Sequence, residues 1–185
     1  MAKKIYRLIS WSLLVLTVLS IVLMLRKPSI PPVATSPEAA KSFDEKIAQV
    51  EANQPGAAQE VHITEVELNS KLQESMQGAA TAGGPAALES ASIHLEDDRL
   101  TGTFTVKVSG KDIYLTLGGK LGAVDGQLQF TPTEVKLGSL PVPVSAVQST
   151  LREKFDSPEM RDRMKLPDSI KDVRIENGEL VVVPK

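Results

Sequence analysis

Apolar and polar residues follow three different patterns along this chain, and each pattern predicts a different kind of element. The stretch Leu8–Leu25 is apolar except for small hydroxyl residues and one tryptophan, and it holds no charge. Further along, apolar residues recur every three or four positions, as they do in amphipathic helices. This helical pattern covers residues 37–52, 64–76 and 144–155. Between 93 and 137, and again between 171 and 183, apolar residues alternate with polar ones, which predicts β-strands and hence an α+β protein.

The segment Leu8–Leu25 has the length and composition of a membrane-spanning helix. Its eighteen residues reach roughly 27 Å at about 1.5 Å per residue, close to the hydrocarbon thickness of a bilayer. Tyr6 and Trp11 lie near one end, where amphipathic aromatic rings prefer the headgroup level. We therefore predict an N-terminal transmembrane helix. The residues expected to span the membrane are Leu8, Trp11, Leu14, Val18, Val22 and Leu25.

A basic stretch followed by an apolar run is also typical of a cleaved secretory signal, so the two alternatives must be weighed. The apolar run is longer than the usual signal core and ends in Arg26-Lys27-Pro28, not in a small-x-small cleavage site. These features favour an uncleaved anchor. More basic residues precede the segment than follow it, which favours a single-pass protein of the cell (inner) membrane. Its N-terminus would be cytoplasmic and its domain extracytoplasmic or periplasmic.

Prolines separate the apolar segment from the rest of the chain. Pro31 and Pro32 lie in a stretch whose proline density favours extended polyproline conformations of about 3.1 Å per residue. We therefore divide the chain into a membrane anchor with basic flanks (1–27), a proline-rich tether (28–36) and an extracytoplasmic domain (37–185).

Two of the predicted helices carry recognisable start signals. Ser36 followed by Pro37 is a favourable N-cap and first helical position. Thr64, with Glu67 three residues later, forms a capping box that starts the second helix. A short strand is expected just before it, at 61–63. These are ordinary structural signals, and they account for this part of the chain without any chemistry.

The alternating region predicts a four-stranded antiparallel meander with one apolar face and one threonine-rich face. Its strands are expected around residues 93–95, 100–108, 113–117 and 128–137. Gly118 and Gly119 are expected where the sheet bends, and Pro132 marks a bulge or an edge. Asn177-Gly178 predicts a C-terminal hairpin that extends the sheet. The expected fold is thus a transmembrane helix followed by a curved antiparallel β-meander with a C-terminal hairpin, packed on amphipathic helices.

Charge argues against a nucleic-acid partner. The five basic residues before Pro28 have no acidic counterpart, so the rest of the chain carries 16 Lys+Arg against 23 Asp+Glu, a formal net charge of −7. Phosphate binding needs a basic face, and an acidic domain does not supply one in bulk. We therefore expect no nucleic acid among the partners.

The usual catalytic patterns are missing from the sequence. There is no cysteine, and neither histidine has metal-ligand spacing, although His94 opens the acidic run HLEDD. There is no G-x-S-x-G, and Ser149 is followed three positions later by Arg152, so no S-x-x-K motif exists there. We expect no enzyme activity, no catalytic residues, no metal and no cofactor.

A family resemblance lies in the run ITEVELN, which is followed by Leu72. It resembles the "(L/I)TE-x-ELN-x-L" opening of bacterial anchored or secreted families such as the YpmS-like proteins and the LmeA-like lipid-binding proteins. The later pairs Leu140-Pro141 and Leu166-Pro167 are also similar to theirs. The resemblance covers residues 60–183 and implies a curved antiparallel sheet around a long helix, as in half of a tubular lipid-binding (TULIP-like) module. It carries no catalytic residues.

Two functional hypotheses follow. The first is a membrane-anchored, non-catalytic extracytoplasmic module that binds lipid or acyl chains in an apolar groove between the sheet and its helices. The candidate groove residues are Leu68, Leu72, Phe104, Val106, Leu115, Leu117, Phe130, Val147 and Leu151. The alternative is an accessory subunit of a larger membrane protein complex, whose apolar helix packs on the complex through Ser10, Thr17 and Ser20 while the domain caps it outside. The expected partners are the bilayer, a lipid or such a complex.

Overall fold

The structure is a computed structural model that describes residues 2–28, 33–52, 59–79 and 86–185. Within these ranges the helices are α1 (Ala2–Leu25), α2 (Pro37–Ala52), α3 (Glu65–Ala79), α4 (Val144–Phe155) and α5 (Pro158–Arg163). The strands are β1 (Val61–Ile63), β2 (Ala86–Glu96), β3 (Arg99–Val108), β4 (Lys111–Val124), β5 (Gln127–Leu137), β6 (Leu140–Val142), β7 (Ile170–Glu176) and β8 (Glu179–Pro184). Residues 29–32 of the predicted tether lie outside the described residues.

The predicted antiparallel meander is confirmed. Strands β2, β3, β4 and β5 pair in chain order, and the short strand β6, which the sequence did not predict, adds a fifth strand at the end. The turns between them contain the left-handed residues that tight hairpins need, such as Asp125 (φ 53°) followed by Gly126 (φ 74°). Register and alternation place Phe104, Leu115 and Leu137 side by side on one face of three neighbouring strands.

The bend expected at the glycine pair is a β-bulge. Gly118 pairs with Glu134 and Gly119 with Pro132, so one extra residue is inserted on β5 and the register shifts there. A Cβ added to Gly119 would meet the carbonyl oxygen of Thr131 and would lie 2.7 Å from the Phe130 ring. Glycine is therefore required by the close approach of the two strands, and the bulge curves the sheet.

The C-terminal hairpin forms around Asn177-Gly178 as predicted, but it does not extend the meander. Instead β7 and β8 form a separate three-stranded sheet with β1, in the order β1-β8-β7. Strand β8 pairs with β7 on one side and with β1 on the other, so it has no edge left to join the meander. In the β1–β8 pair, Val61 lies opposite Val182 and Ile63 opposite Leu180. The expectation of one continuous sheet is therefore wrong.

The best-buried apolar cluster lies on this small sheet. It consists of Val50, Ile63, Ile170, Val173 and Val182, with Phe43, Ile47, Leu68, Leu121 and Leu128 among the partly buried residues packed against it. Helix α2 covers this cluster, because its residues Phe43, Ile47 and Val50 follow helical spacing and so lie on one face of the helix. Leu121 of β4 and Leu128 of β5 belong to the meander, so part of the meander packs against the small sheet.

The transmembrane helix predicted for Leu8–Leu25 is wrong. Among the described residues, no helix combines the length and the apolar composition needed to cross a membrane. Helix α1 itself runs from Ala2 to Leu25 and includes the basic residues Lys3, Lys4 and Arg7.

The C-terminal end of α1 is docked on the turn between β5 and β6. The backbone N–H of Ser139 donates to the carbonyl oxygen of Leu23 at 2.8 Å, which satisfies one of the free carbonyls in the last helical turn. Gly138 has φ 60°, and a Cβ there would meet the carbonyl oxygens of Met24 and Leu23. The helix end therefore rests directly on the glycine backbone.

Candidate functional site: a groove between β5 and α4

A groove of about 540 Å³ runs between the first half of β5 and helix α4. Such a volume lies within the range of about 300–1,000 Å³ that is common for small-ligand sites. Its apolar lining consists of Val124, Leu128, Phe130, Pro132, Val144, Leu151, Phe155 and Met164. Its polar lining consists of Asp125, Gln127, Gln129, Thr131, Gln148, Arg152, Asp156 and Arg161.

Helix α4 forms one wall of the groove because its apolar stripe is not used for core packing. Val144, Val147, Leu151 and Phe155 follow helical spacing, yet α4 contains no buried residue. The helix starts directly after β6, at Pro143, whose position lacks a side-chain cap. The apolar stripe of α4 is thus only partly covered and remains available to a ligand.

The opposite wall is the free edge of β5. Strand β6 pairs only with 135–137, and Gln127 forms an isolated antiparallel bridge with Lys165, so among the described residues β5 has no strand partner on that side from Leu128 to Pro132. The N–H of Leu128 points to this side, because it donates to the carbonyl oxygen of Met164 at 2.8 Å. By strand alternation Phe130 directs its N–H the same way, while Pro132 has no N–H to offer. This edge therefore presents apolar side chains but few free backbone donors.

Two aromatic rings close one end of the groove. The centroids of Phe130 and Phe155 lie 5.9 Å apart and the ring planes are tilted by 53°. This is a favourable geometry for an aromatic pair. It ties the C-terminal end of α4 to β5 and leaves the groove open along the rest of the helix.

Charged side chains lie near the aromatic end. Arg161 approaches Asp156 at 3.6 Å, and both side chains are largely exposed, so the pair is weak. Arg152 forms no ion pair or side-chain hydrogen bond with any residue that the structure describes. The groove therefore has charged residues near its aromatic end, and apolar residues interspersed with uncharged polar ones along the rest.

The structure distributes the nine predicted groove residues over several places. Phe130 and Leu151 line the groove, and Val147 lies half-buried on α4 outside the lining. Leu68 packs on the core of the small sheet, and Leu72 is half-buried on α3. The four residues of β3 and β4 are half-buried on the meander: Phe104, Val106, Leu115 and Leu117.

The predicted membrane-facing residues lie on α1 and, where described, are exposed. Trp11 is 67% exposed, and Leu14, Val18, Val22 and Leu25 are exposed as well. The side chain of Leu8 lies outside the described residues. The hydroxyls of Thr17 and Ser20 donate to carbonyl oxygens of their own helix, at 2.8 and 2.9 Å. Helix α1 thus presents apolar side chains to its surroundings on most of its circumference.

The polar residues of the ITEVELN run form hydrogen bonds that hold α3 against its neighbours. Glu67 completes the capping box with Thr64 and accepts a hydrogen bond from Lys46 of α2 at 2.8 Å. Glu65 accepts from the backbone N–H of Leu95 at 2.8 Å, and its second oxygen lies 3.0 Å from Nδ1 of His94. The motif therefore fastens α3 to α2 and to the edge strand β2.

The environment of Glu67 also shifts its acidity. Burial alone would raise the pKa of Glu67, but hydrogen bonds from Lys46, Ser42 and Thr64 outweigh it and lower the pKa to about 2. The carboxylate is therefore ionised and fully hydrogen-bonded at neutral pH. Such a group is suited to holding helices together and not to exchanging protons.

No metal site is found within the described part of the chain, where no three His, Asp or Glu side chains are arranged to hold an ion. His62 and His94 each approach a different glutamate, Glu179 and Glu65 respectively.

Comparison with known proteins finds no matching family model, no matching curated protein and no matching solved structure. The resemblance of the ITEVELN run to lipid-binding families therefore stays a prediction.

Proposed function

We propose that this chain is a non-catalytic binding module that holds an acyl chain in the groove between β5 and α4. The observation that carries the proposal is the only partly covered apolar stripe of α4, which faces the apolar side chains of β5 across a groove of about 540 Å³. Removing an acyl chain from water into such a groove is favourable by roughly 0.8 kcal/mol per buried CH₂ group.

The edge of β5 favours an acyl chain over a peptide strand as the occupant. A peptide that adds to a sheet edge gains its affinity from main-chain hydrogen bonds. Along this edge the N–H of Leu128 is already bonded to Met164, and Pro132 has no N–H. Only Phe130 is left to donate, so an incoming strand would find carbonyl acceptors along this edge but a single donor, whereas an acyl chain needs neither.

We propose further that the module works in contact with lipid. Large apolar side chains of α1 are exposed from Trp11 to Leu25, and a patch of this size is uncommon on a protein surrounded by water. Contact of these side chains with membrane lipid would bring the groove close to a source of acyl chains. The extracytoplasmic location stays a prediction.

Native mass spectrometry of the full chain tests the acyl-chain proposal. The purified protein should retain a bound lipid, and extraction should release an acyl compound. Leu151→Trp, which fills the groove, should reduce the retained lipid several-fold. Ser149→Trp is the matched control, because Ser149 is exposed on the same helix and does not line the groove.

The proposal fails if the full chain carries no lipid after expression and takes up none from lipid vesicles. It fails equally if the Leu151 and Ser149 variants retain lipid to the same extent, because binding would then lie elsewhere.

The second candidate function is that of an accessory subunit of a larger membrane protein complex. The observation that favours it is again the exposed apolar surface of α1, which a partner helix could cover as well as lipid could. Gentle detergent extraction followed by native electrophoresis separates the two. Comigration with a larger complex supports the accessory role, whereas migration only as a free chain of about 20 kDa counts against it.

A further inference from the structure

We infer that the ligand of the groove is a single-chain carboxylate, a long-chain fatty acid, and that Arg152 binds its head group. The inference rests on the proposed function, because it names the ligand class of that same groove. It draws on three features of the lining: the position of Arg152, the absence of a partner for it, and the size of the site.

Arg152 is placed where a head group would lie. It follows Leu151, whose side chain lines the groove, and precedes Phe155 by one helical turn, at the end closed by the Phe130–Phe155 pair. The acyl chain would then run along Leu151 and Val144 toward Pro132. A ligand with one charged end and one apolar chain matches this division of the groove.

Arg152 is also the cation in the lining that forms no ion pair with any acidic residue in the part of the chain that the structure describes. The other one, Arg161, lies 3.6 Å from Asp156. The remaining acid, Asp125, lies at the border with a second depression, which Lys165 and Lys185 line as well. Asp168 lines that depression too. Neither Asp125 nor Asp156 forms an ion pair with Arg152 among the described residues, so Arg152 is free to receive an anion.

The chemistry of arginine favours a carboxylate. Its planar guanidinium can donate two parallel hydrogen bonds to the two oxygens of a carboxylate, and such charge-assisted bonds are about twice as strong as neutral ones. The other polar lining residues on the two walls are uncharged: Gln127, Gln129, Thr131 and Gln148. The groove measures about 540 Å³, and Arg152 is the one cation of its lining without an ion-pair partner among the described residues. This fits a ligand with a single acyl chain and a single negative charge.

Photo-crosslinking of the full chain tests the inference. Two probes are compared, palmitic acid and palmityl alcohol, each with a diazirine in its tail, and the labelled peptides are identified by mass spectrometry. The wild type should be labelled within 127–132 or 144–156, and excess unlabelled palmitic acid should compete. The acid should label these peptides about tenfold more strongly than the alcohol, since a hydrogen bond to a charged group is at stake.

Arg152→Gln should reduce labelling by the acid to the level of the alcohol, and Arg152→Lys should retain part of it. Arg152 is exposed, so these substitutions leave the packing intact. Lys154→Gln is the matched control, because it removes the same charge from an exposed position outside the groove and should change nothing.

The outcomes separate this inference from the proposed function. Equal labelling of the groove by acid and alcohol, or full labelling of the Arg152→Gln variant by the acid, overturns the carboxylate inference and leaves acyl-chain binding standing. Labelling of the groove by neither probe overturns both.

Discussion

The side-chain amide of Asn69 pairs with the backbone of Ile93 in the manner of a neighbouring strand. Its Nδ2 donates to the carbonyl oxygen of Ile93 at 2.6 Å, and its Oδ1 accepts from the N–H of Ile93 at 2.7 Å. Strand β2 is the outer strand of its sheet, so without Asn69 these two backbone groups would have no strand to bind. One buried side chain thus closes part of an edge that would otherwise be open to aggregation.

Asn69→Leu should destabilise the fold by about 1–3 kcal/mol, because it leaves both backbone groups of the half-buried Ile93 without their hydrogen-bond partner. Urea denaturation followed by circular dichroism measures the change in the free energy of unfolding. Gln77→Ala is the control on the same helix, since Gln77 is exposed and has no bonded partner within the described residues; it should shift stability by less than about 0.5 kcal/mol. Equal effects of the two substitutions would show that the edge pairing contributes nothing.

Stability should fall in acid because of Glu67. Its pKa is about 2 in the folded chain against 4.5 for the free side chain, so the folded state binds the proton less readily than the unfolded state. The resulting stabilisation is fully present above pH 4.5 and is lost as the pH falls toward 2. It amounts to at most about 3 kcal/mol, and to less where solvent screens the pair with Lys46.

Glu67→Gln should therefore lower stability at neutral pH and flatten its dependence on pH between about 4.5 and 2. Urea denaturation at a series of pH values measures both effects. Glu74→Gln is the control, because Glu74 is an exposed glutamate of the same helix that pairs with Lys71 at the surface. If both variants keep the pH dependence of the wild type, the acid sensitivity arises elsewhere in the chain.

Local signals were sufficient to predict much of the fold. The capping box of Thr64 and Glu67, the Asn177-Gly178 turn and the bulge opposite Pro132 each depend on residues that are close in sequence or on backbone geometry that few residues tolerate. For this reason the helix starts, the meander and the hairpin could be derived from the order of residues alone.

The pairing of distant elements could not be derived in this way. The alternation in β8 is the same whether it joins the meander or β1, and only the three-dimensional contact of Ile63 with Leu180 decides between them. The partner of Asn69 is a backbone group 24 residues away, for which no side-chain pattern exists. The groove could not be predicted for the same reason, because it depends on β6 pairing only with 135–137 and leaving β5 without a strand partner from Leu128 to Pro132 among the described residues.

Gly119 should tolerate no side chain. Gly119→Ala places a Cβ against the carbonyl oxygen of Thr131 and the ring of Phe130, so we expect a loss of about 1–3 kcal/mol from overpacking at the bulge. Gly122→Ala lies in the same strand with no atom within 4 Å of the added Cβ, and it should be neutral or slightly stabilising. Thermal unfolding compares the two variants, and equal melting temperatures would contradict the role assigned to the bulge.

The close contact between Gly138 and the C-terminal end of α1 should depend on the absence of a side chain at Gly138. Gly138→Ala adds a Cβ that meets the carbonyl oxygens of Met24 and Leu23, and it also strains a residue with φ 60°. Gly110→Ala carries the strain alone, because Gly110 has φ 79° and open space around it. Both variants should lose about 1–3 kcal/mol through the backbone, so stability alone does not distinguish them.

Hydrogen exchange at Ser139 does distinguish them. Its N–H is bonded to Leu23 at 2.8 Å, and it should exchange faster in the Gly138 variant, where the helix end is displaced. In the Gly110 variant the bond is intact and exchange should match the wild type. Unchanged protection of Ser139 in the Gly138 variant would mean that α1 is not fastened at this turn. A loss of protection would make the β5–β6 turn the point where the apolar helix is coupled to the domain that carries the groove.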